Sequence, residues 1–381
     1  MDTKIKPNGA KRQLEPASLD KLITALAGRG YTVIGPVVRD GAITYEEIET
    51  FADLPAGWGV EQSAGRFRLV KRDDGALFGY SLGPRSPKKY FHPSEICLFR
   101  AEREEGVFKI VNGRPPVPKY ALFGVRPCEL AAIAVQDRVL LGDRFSDSIY
   151  RERRSGSFIV AVNCTEPGGT CFCASMNTGP AATGGYDILL TELIEPGRHT
   201  LIAESGSEPG EQLLKELDAA EASADDCQKA SDAVEAAGSK MGRKVETNGL
   251  KQALYDGFEN PRFDQVAVRC MSCGNCTQVC PTCFCVTVED SSDVTVTKAE
   301  RRRKWDSCFV QGFSYIHGGS VRLSLKSRYR QWLTHKFGAW NDQFGTFGCV
   351  GCGRCITWCP VGIDVTEELA AVRGVTAAAG D

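Results

Sequence analysis

The stretch "RCMSCGNCTQVCPTCFC", Arg269 to Cys285, places six cysteines within seventeen residues, and its pattern returns in "GCVGCGRCITWCP", Gly348 to Pro360. Both copies read CxxCxxCxxxCP: Cys270, Cys273, Cys276 and Cys280 before Pro281, then Cys349, Cys352, Cys355 and Cys359 before Pro360. The chain has 381 residues and 17 cysteines, an outlying number for a sequence that is otherwise 42% hydrophobic and 25% charged. Its opening, "MDTKIKPNGAKRQLEP", is polar throughout and lacks the apolar core of a signal peptide, and no apolar run approaches membrane-spanning length. The expectation is a cytoplasmic protein that contacts no membrane. In a reducing compartment, clustered thiols are metal ligands or redox groups rather than a disulfide framework.

The spacing is that of [4Fe-4S] sites, in which three thiolates of a curled loop hold one cube and the fourth, beside the proline, ligates the other cube of a pair. The expected quartets are therefore Cys270, Cys273, Cys276 with Cys359, and Cys349, Cys352, Cys355 with Cys280. Gly274, Gly351 and Gly353 suit a backbone that passes close to a cube in left-handed conformations. Structural zinc also uses CxxC pairs, so a zinc-stabilised interaction module without redox work is the alternative.

Working outward, residues 17 to 200 alternate strand-like runs ("YTVIGPVV", "FRLVKR", "YALFGV", "SFIVAV", "YDILLTEL") with helical ones such as "LDKLITALAGRG". The fold class expected is α+β: a mixed α/β domain over 1–203, an acidic helical linker over 204–248, and a mainly helical domain over 249–381 carrying both motifs. Within the last, helices are expected over Lys298–Phe313 and Arg322–Trp340, a terminal helix is opened by Asp364 and Glu367, and "VTAAAGD" is expected to fray. Cys128 in "FGVRPCEL" and Cys164, Cys171 and Cys173 in "VNCTEPGGTCFCASMNTGP" follow predicted strands, so they can meet where neighbouring strands end and hold a third [4Fe-4S] cluster. Cys283, Cys285 and Cys308 are expected to pack around the clusters, and Cys97 and Cys227 to pack elsewhere.

The segments Glu204–Glu235 (ten acidic, two basic) and Lys298–Lys336 (ten basic, two acidic) could dock on each other or on partners. A net charge of −2, with no aromatic platform beside the basic run, gives no case for nucleic acid. Neither a strand-linked GxGxxG nor a GxxxxGK[ST] loop occurs, and His92, His199, His317 and His335 are scattered, with His335 expected on a helix surface.

Together "FGVRPCELAAI", "CTEPGGTCFCASMNTGP", "CPTCFC", "RKWDSCF", "RYRQWLTHKF" and "GCVGCGRCITWCPVGID" resemble the iron-sulfur β subunit of cytoplasmic NAD(P)H-linked nickel-iron hydrogenases, the sulfhydrogenases. The same family contains the corresponding iron-sulfur subunit of anaerobic sulfite reductase, and the spacing between the motifs resembles an α-helical ferredoxin domain. The resemblance implies an oxidoreductase subunit that carries electrons without catalysing. Its expected place is between the small and large nickel-iron hydrogenase subunits and a flavoprotein NAD(P)H-binding subunit.

Overall fold

The computed structural model describes residues 10–111, 116–142 and 144–374; the fraying expected at 375–381 falls outside them. Its strands of three or more residues, in chain order, are β1 (Arg12–Leu14), β2 (Thr32–Arg39), β3 (Ala42–Glu47), β4 (Trp58–Ser63), β5 (Arg66–Lys71), β6 (Glu95–Glu104), β7 (Val107–Val111), β8 (Tyr120–Val125), β9 (Phe158–Val162), β10 (Ile188–Glu195), β11 (Arg198–Ser205), β12 (Val286–Ser292) and β13 (Lys298–Trp305). The fold is α+β.

Seven strands form the main sheet in the order β1-β11-β10-β9-β8-β2-β3. Its centre, β10-β9-β8-β2, is parallel, and the remaining pairs are antiparallel. The two innermost runs are continuously apolar, "ALFGV" and "FIVAV", and every residue of them is buried, as expected of strands covered on both faces. Leu19, Leu22, Ile23 and Leu26 on one side of the helix Ser18–Gly28 cover one sheet face at spacings of three and four residues. Because β8 and β9 are parallel neighbours, the segments leaving their C-terminal ends, a helix whose first turn carries Cys128 and a loop carrying Cys164, emerge side by side.

A second core surrounds the two cysteine motifs. Phe309, Tyr329, Trp332, Leu333, Phe337, Ile356 and Leu369 are buried in it, with Cys270, Cys276, Cys349, Cys355 and Cys359 packed against them. The terminal helix Val365–Val372 starts where expected, with the Asp364 carboxylate accepting from the Thr366 amide at 2.9 Å.

One expectation is overturned. Lys298–Trp305, read as helix, is strand β13, central in a four-stranded sheet β12-β13-β6-β7. Its Arg and Lys residues have good helix propensity, but tertiary pairing outweighs it. Arg301 pairs with Asp290 on one neighbour, Arg302 with Glu95 on the other, and Lys304 with Glu289. Arg303 turns inward and pairs with Asp147. This sheet draws β6-β7 and β12-β13 from opposite sides of the expected linker.

The opposite-charge segments do not meet either. Glu211, Glu216 and Asp226 pair with Arg12, Arg29 and Arg198, whereas Lys326 and Arg330 pair with Glu259.

Candidate iron-sulfur centre

Both motifs fold as the same loop. In each, the third residue has a left-handed backbone (Ser272 φ 55°, Gly351 φ 64°), and so has the fifth (Gly274 φ 75°, Gly353 φ 74°), which starts a one-turn helix. The tight curl aims backbone amides at sulfur: Ser272 N–H donates to Cys270 Sγ and Gly351 N–H to Cys349 Sγ, both at 3.4 Å, and Ile363 N–H to Cys359 Sγ at 3.3 Å. In the second copy glycine is compulsory for another reason. A Cβ on Gly351 would stand 2.6 Å from the Phe172 carbonyl, and one on Gly353 would stand 2.4 Å from the Thr170 carbonyl oxygen. The loop carrying Cys171 and Cys173 is therefore pressed directly onto the second motif, where Phe172 N–H donates to Gly351 O at 2.8 Å and Thr178 Oγ1 to Val350 O at 2.7 Å.

Three small apolar cavities lie among these loops. Cys270, Cys273, Cys276 and Cys359 border the first, together with Cys355. Cys280, Cys349, Cys352 and Cys355 border the second. Around the third stand Cys128, Cys164, Cys171 and Cys173, again with Cys352. Each expected quartet is thus brought together around one space, and the fourth thiol of each motif faces the other motif's cavity. Cys355 is common to the first two cavities and Cys352 to the last two. Cys273 alone among the seventeen is exposed.

Cys283, Cys285 and Cys308 border none of the three. Cys283 lies beside Cys280, and Cys308 beside Cys285. Cys97 lies on β6 with its sulfur 3.4 Å from Phe99 O, and Cys227 lies half-buried on the helix Ala224–Ser239.

Four thiols around each apolar space suit a [4Fe-4S] cube, which takes four cysteine ligands. Burial pushes the Cys171 and Cys349 thiols up to about 12, so their thiolate form needs bound metal to persist at neutral pH. Cys280 departs in the other direction: the neighbouring Cys283 thiol and then the Lys336 ammonium hold it well below the ordinary thiol range.

Several residues at these cavities went unnoticed in the sequence. Lys336, buried, donates to Cys280 Sγ at 3.2 Å, to Thr282 Oγ1 at 3.0 Å and to Gly348 O at 3.1 Å. Lys88, from the first half of the chain, donates to the carbonyls of Cys280 and Cys283 at 3.1 Å each, with its ammonium 3.7 Å above the Trp305 ring. Arg354 borders the third cavity, bound to Glu129 at 2.6 Å and to Gly83 O at 2.8 Å, and its Nη1 is buried with no protein partner among the described residues. Arg126 borders the third cavity and is fixed to Asn163 O at 3.1 Å. The available signal was a basic residue inside a cysteine motif or an otherwise apolar run: Arg354 within "GCGRC", Lys336 within "HKFG". His335 beside it is half-buried, not a surface residue, and burial lowers it to about 4.

Paired cysteine loops with amides aimed at sulfur define an iron-sulfur protein of the electron-transfer kind, and residues 269–363 match the family described as a 4Fe-4S dicluster domain. The chain is 31% identical to sulfhydrogenase 2 subunit beta of Pyrococcus furiosus over 316 residues, covering 82% of this chain and 90% of that protein. It belongs to the sulfhydrogenase beta-subunit family. Among the described residues no helix is long and apolar enough to cross a membrane.

Proposed function

We propose that the chain is the electron-relay subunit of a cytoplasmic NAD(P)H-linked nickel-iron hydrogenase and holds three [4Fe-4S] clusters. The ligands proposed are Cys270, Cys273, Cys276 and Cys359 for the first, Cys349, Cys352, Cys355 and Cys280 for the second, and Cys128, Cys164, Cys171 and Cys173 for the third. Bound there, such clusters supply one-electron carriers whose potentials follow charge, hydrogen bonds to sulfur and solvent exposure.

The observation that carries the reading is the adjacency of the three thiol-lined cavities, joined at Cys352 and Cys355 and ending at the exposed Cys273. A row of sites reaching the surface suits transit of electrons, whereas isolated sites would suit stability alone. What the chain's own residues do is hold and insulate. Amides of residues 272, 351 and 363 orient the sulfurs. Phe309, Tyr329, Trp332 and Val365 keep water from the first cavity. Partners proposed are the small and large hydrogenase subunits together with a flavoprotein NAD(P)H-binding subunit. The relative's name favours this assembly over a sulfite reductase.

Anaerobic purification tests the reading. About twelve irons per chain are expected, and Cys171→Ser should remove about four of them with one set of low-temperature spin-resonance signals, leaving the other two. A colourless, iron-free protein overturns the relay; a Cys171→Ser variant that retains every cluster overturns the third site.

A further inference from the structure

The buried ammonium of Lys336 serves neither to bind substrate nor to hold the fold's surface, and its placement is costly. Burying a lysine carries a large desolvation penalty unless its charge is compensated, and among the described residues no carboxylate pairs with Lys336. Its three partners are one thiol, one hydroxyl and one carbonyl: Cys280 Sγ, Thr282 Oγ1 and Gly348 O. Local backbone geometry serves the same placement. The helix Leu325–Thr334 runs into a π-helical turn, His335–Ala339, before Trp340–Phe344 resumes as α-helix. Such wide turns concentrate at functional positions because they rotate the side chains that follow. Here the turn brings Lys336 and Phe337 to the second cavity, which both border. Thr282 completes the clasp, its hydroxyl donating to Gly348 O at 2.6 Å beside the Cys280 sulfur at 3.1 Å. Among the described residues no basic side chain borders the first cavity.

Resting on the relay reading above, we propose that Lys336 sets the reduction potential of the middle cluster, holding it above the value that its apolar cavity alone would give. A cluster held there would take up one electron from a neighbouring iron-sulfur cluster of the proposed relay, with no bond formed or broken and Lys336 still protonated. The reduced site carries one more negative charge, and a fixed cation 3.2 Å from a ligand sulfur stabilises that state more than the oxidised one. Apolar burial works the other way, since it penalises added charge. Lys336 thereby keeps the middle site reducible by its neighbours on either side.

The test is a dithionite redox titration, followed by low-temperature spin resonance, of the full chain purified anaerobically, with the middle signal identified as the one lost in Cys349→Ser. Lys336→Met should move that signal to lower potential and leave the other two in place. Lys336→Arg should titrate close to the wild type, and Lys336→Gln, which keeps a donor without charge, should fall on the Met side. An unchanged potential in Lys336→Met with all clusters present overturns the proposal and leaves the relay reading standing. Loss of the middle cluster in Met and Gln variants alike also overturns it, since Lys336 would then hold the cluster rather than set its potential. Absence of iron from the wild type overturns the relay reading itself.

Discussion

Glu129 accepts from three buried donors at once, Arg354 Nη2 at 2.6 Å, Tyr45 Oη at 2.6 Å and Arg126 N–H at 3.3 Å, and the glutamate, Arg354 and Tyr45 are almost fully enclosed. The pair joins the helix Pro127–Leu140, which begins beside Cys128, to the second cysteine motif. Replacing a buried pair with apolar groups is often neutral, but removing one partner strands a charge in low dielectric. Glu129→Ala should therefore destabilise the protein by about 3–5 kcal/mol, seen as a lower urea midpoint under anaerobic conditions. The double variant Glu129→Leu with Arg354→Met should recover part of that loss, because no unpaired charge remains. A single variant as stable as the wild type would mean that water reaches Arg354. At this scale the sequence was legible where chemistry has a fixed spacing, as in the eight motif cysteines. It was silent on Lys336 and Arg354, since a lysine or arginine near a helix looks the same whether it faces water or sulfur.

The hairpin β4-β5 shows how an element that carries no cysteine can control a cysteine loop. Its turn residue Gly65, at φ 71°, donates to Ile356 O at 3.1 Å and lies so close to the second motif that an added Cβ would be 2.9 Å from Cys359 O. Gly65→Val faces both a left-handed backbone and that contact, each a cost of about 1–3 kcal/mol. The expected outcome is displacement of the turn that presents Cys359, with loss of about four irons from the first site while the third remains. Full iron retention would show the hairpin to be dispensable for that loop. Elements with a clear period were readable in advance: the parallel core strands β8 and β9, the amphipathic helix Ser18–Gly28 and the Asp364 cap all stand where pattern puts them. Strand β13 was not, because "KAERRRKW" owes its extended form to acidic neighbours, Asp290, Glu289 and Glu95, supplied from two other strands. Long-range pairing of this kind leaves no local trace.

Across the whole molecule, the first and third cavities share no thiol, and the second adjoins both. Cys349 borders the second alone, so its replacement isolates the ends of the row without touching either end. In the hydrogenase assembly proposed above, Cys349→Ser should leave the two outer spin-resonance signals intact while NAD(P)H-linked hydrogen turnover falls by at least about 10–100-fold. Turnover with an artificial dye that meets the proposed hydrogenase subunits directly should persist, because on that reading the reaction does not cross this chain. If NAD(P)H-linked turnover continued at the wild-type rate with the middle cluster gone, electrons would be entering and leaving on one side of the row, and the adjacency at Cys352 and Cys355 would be a packing feature rather than a route.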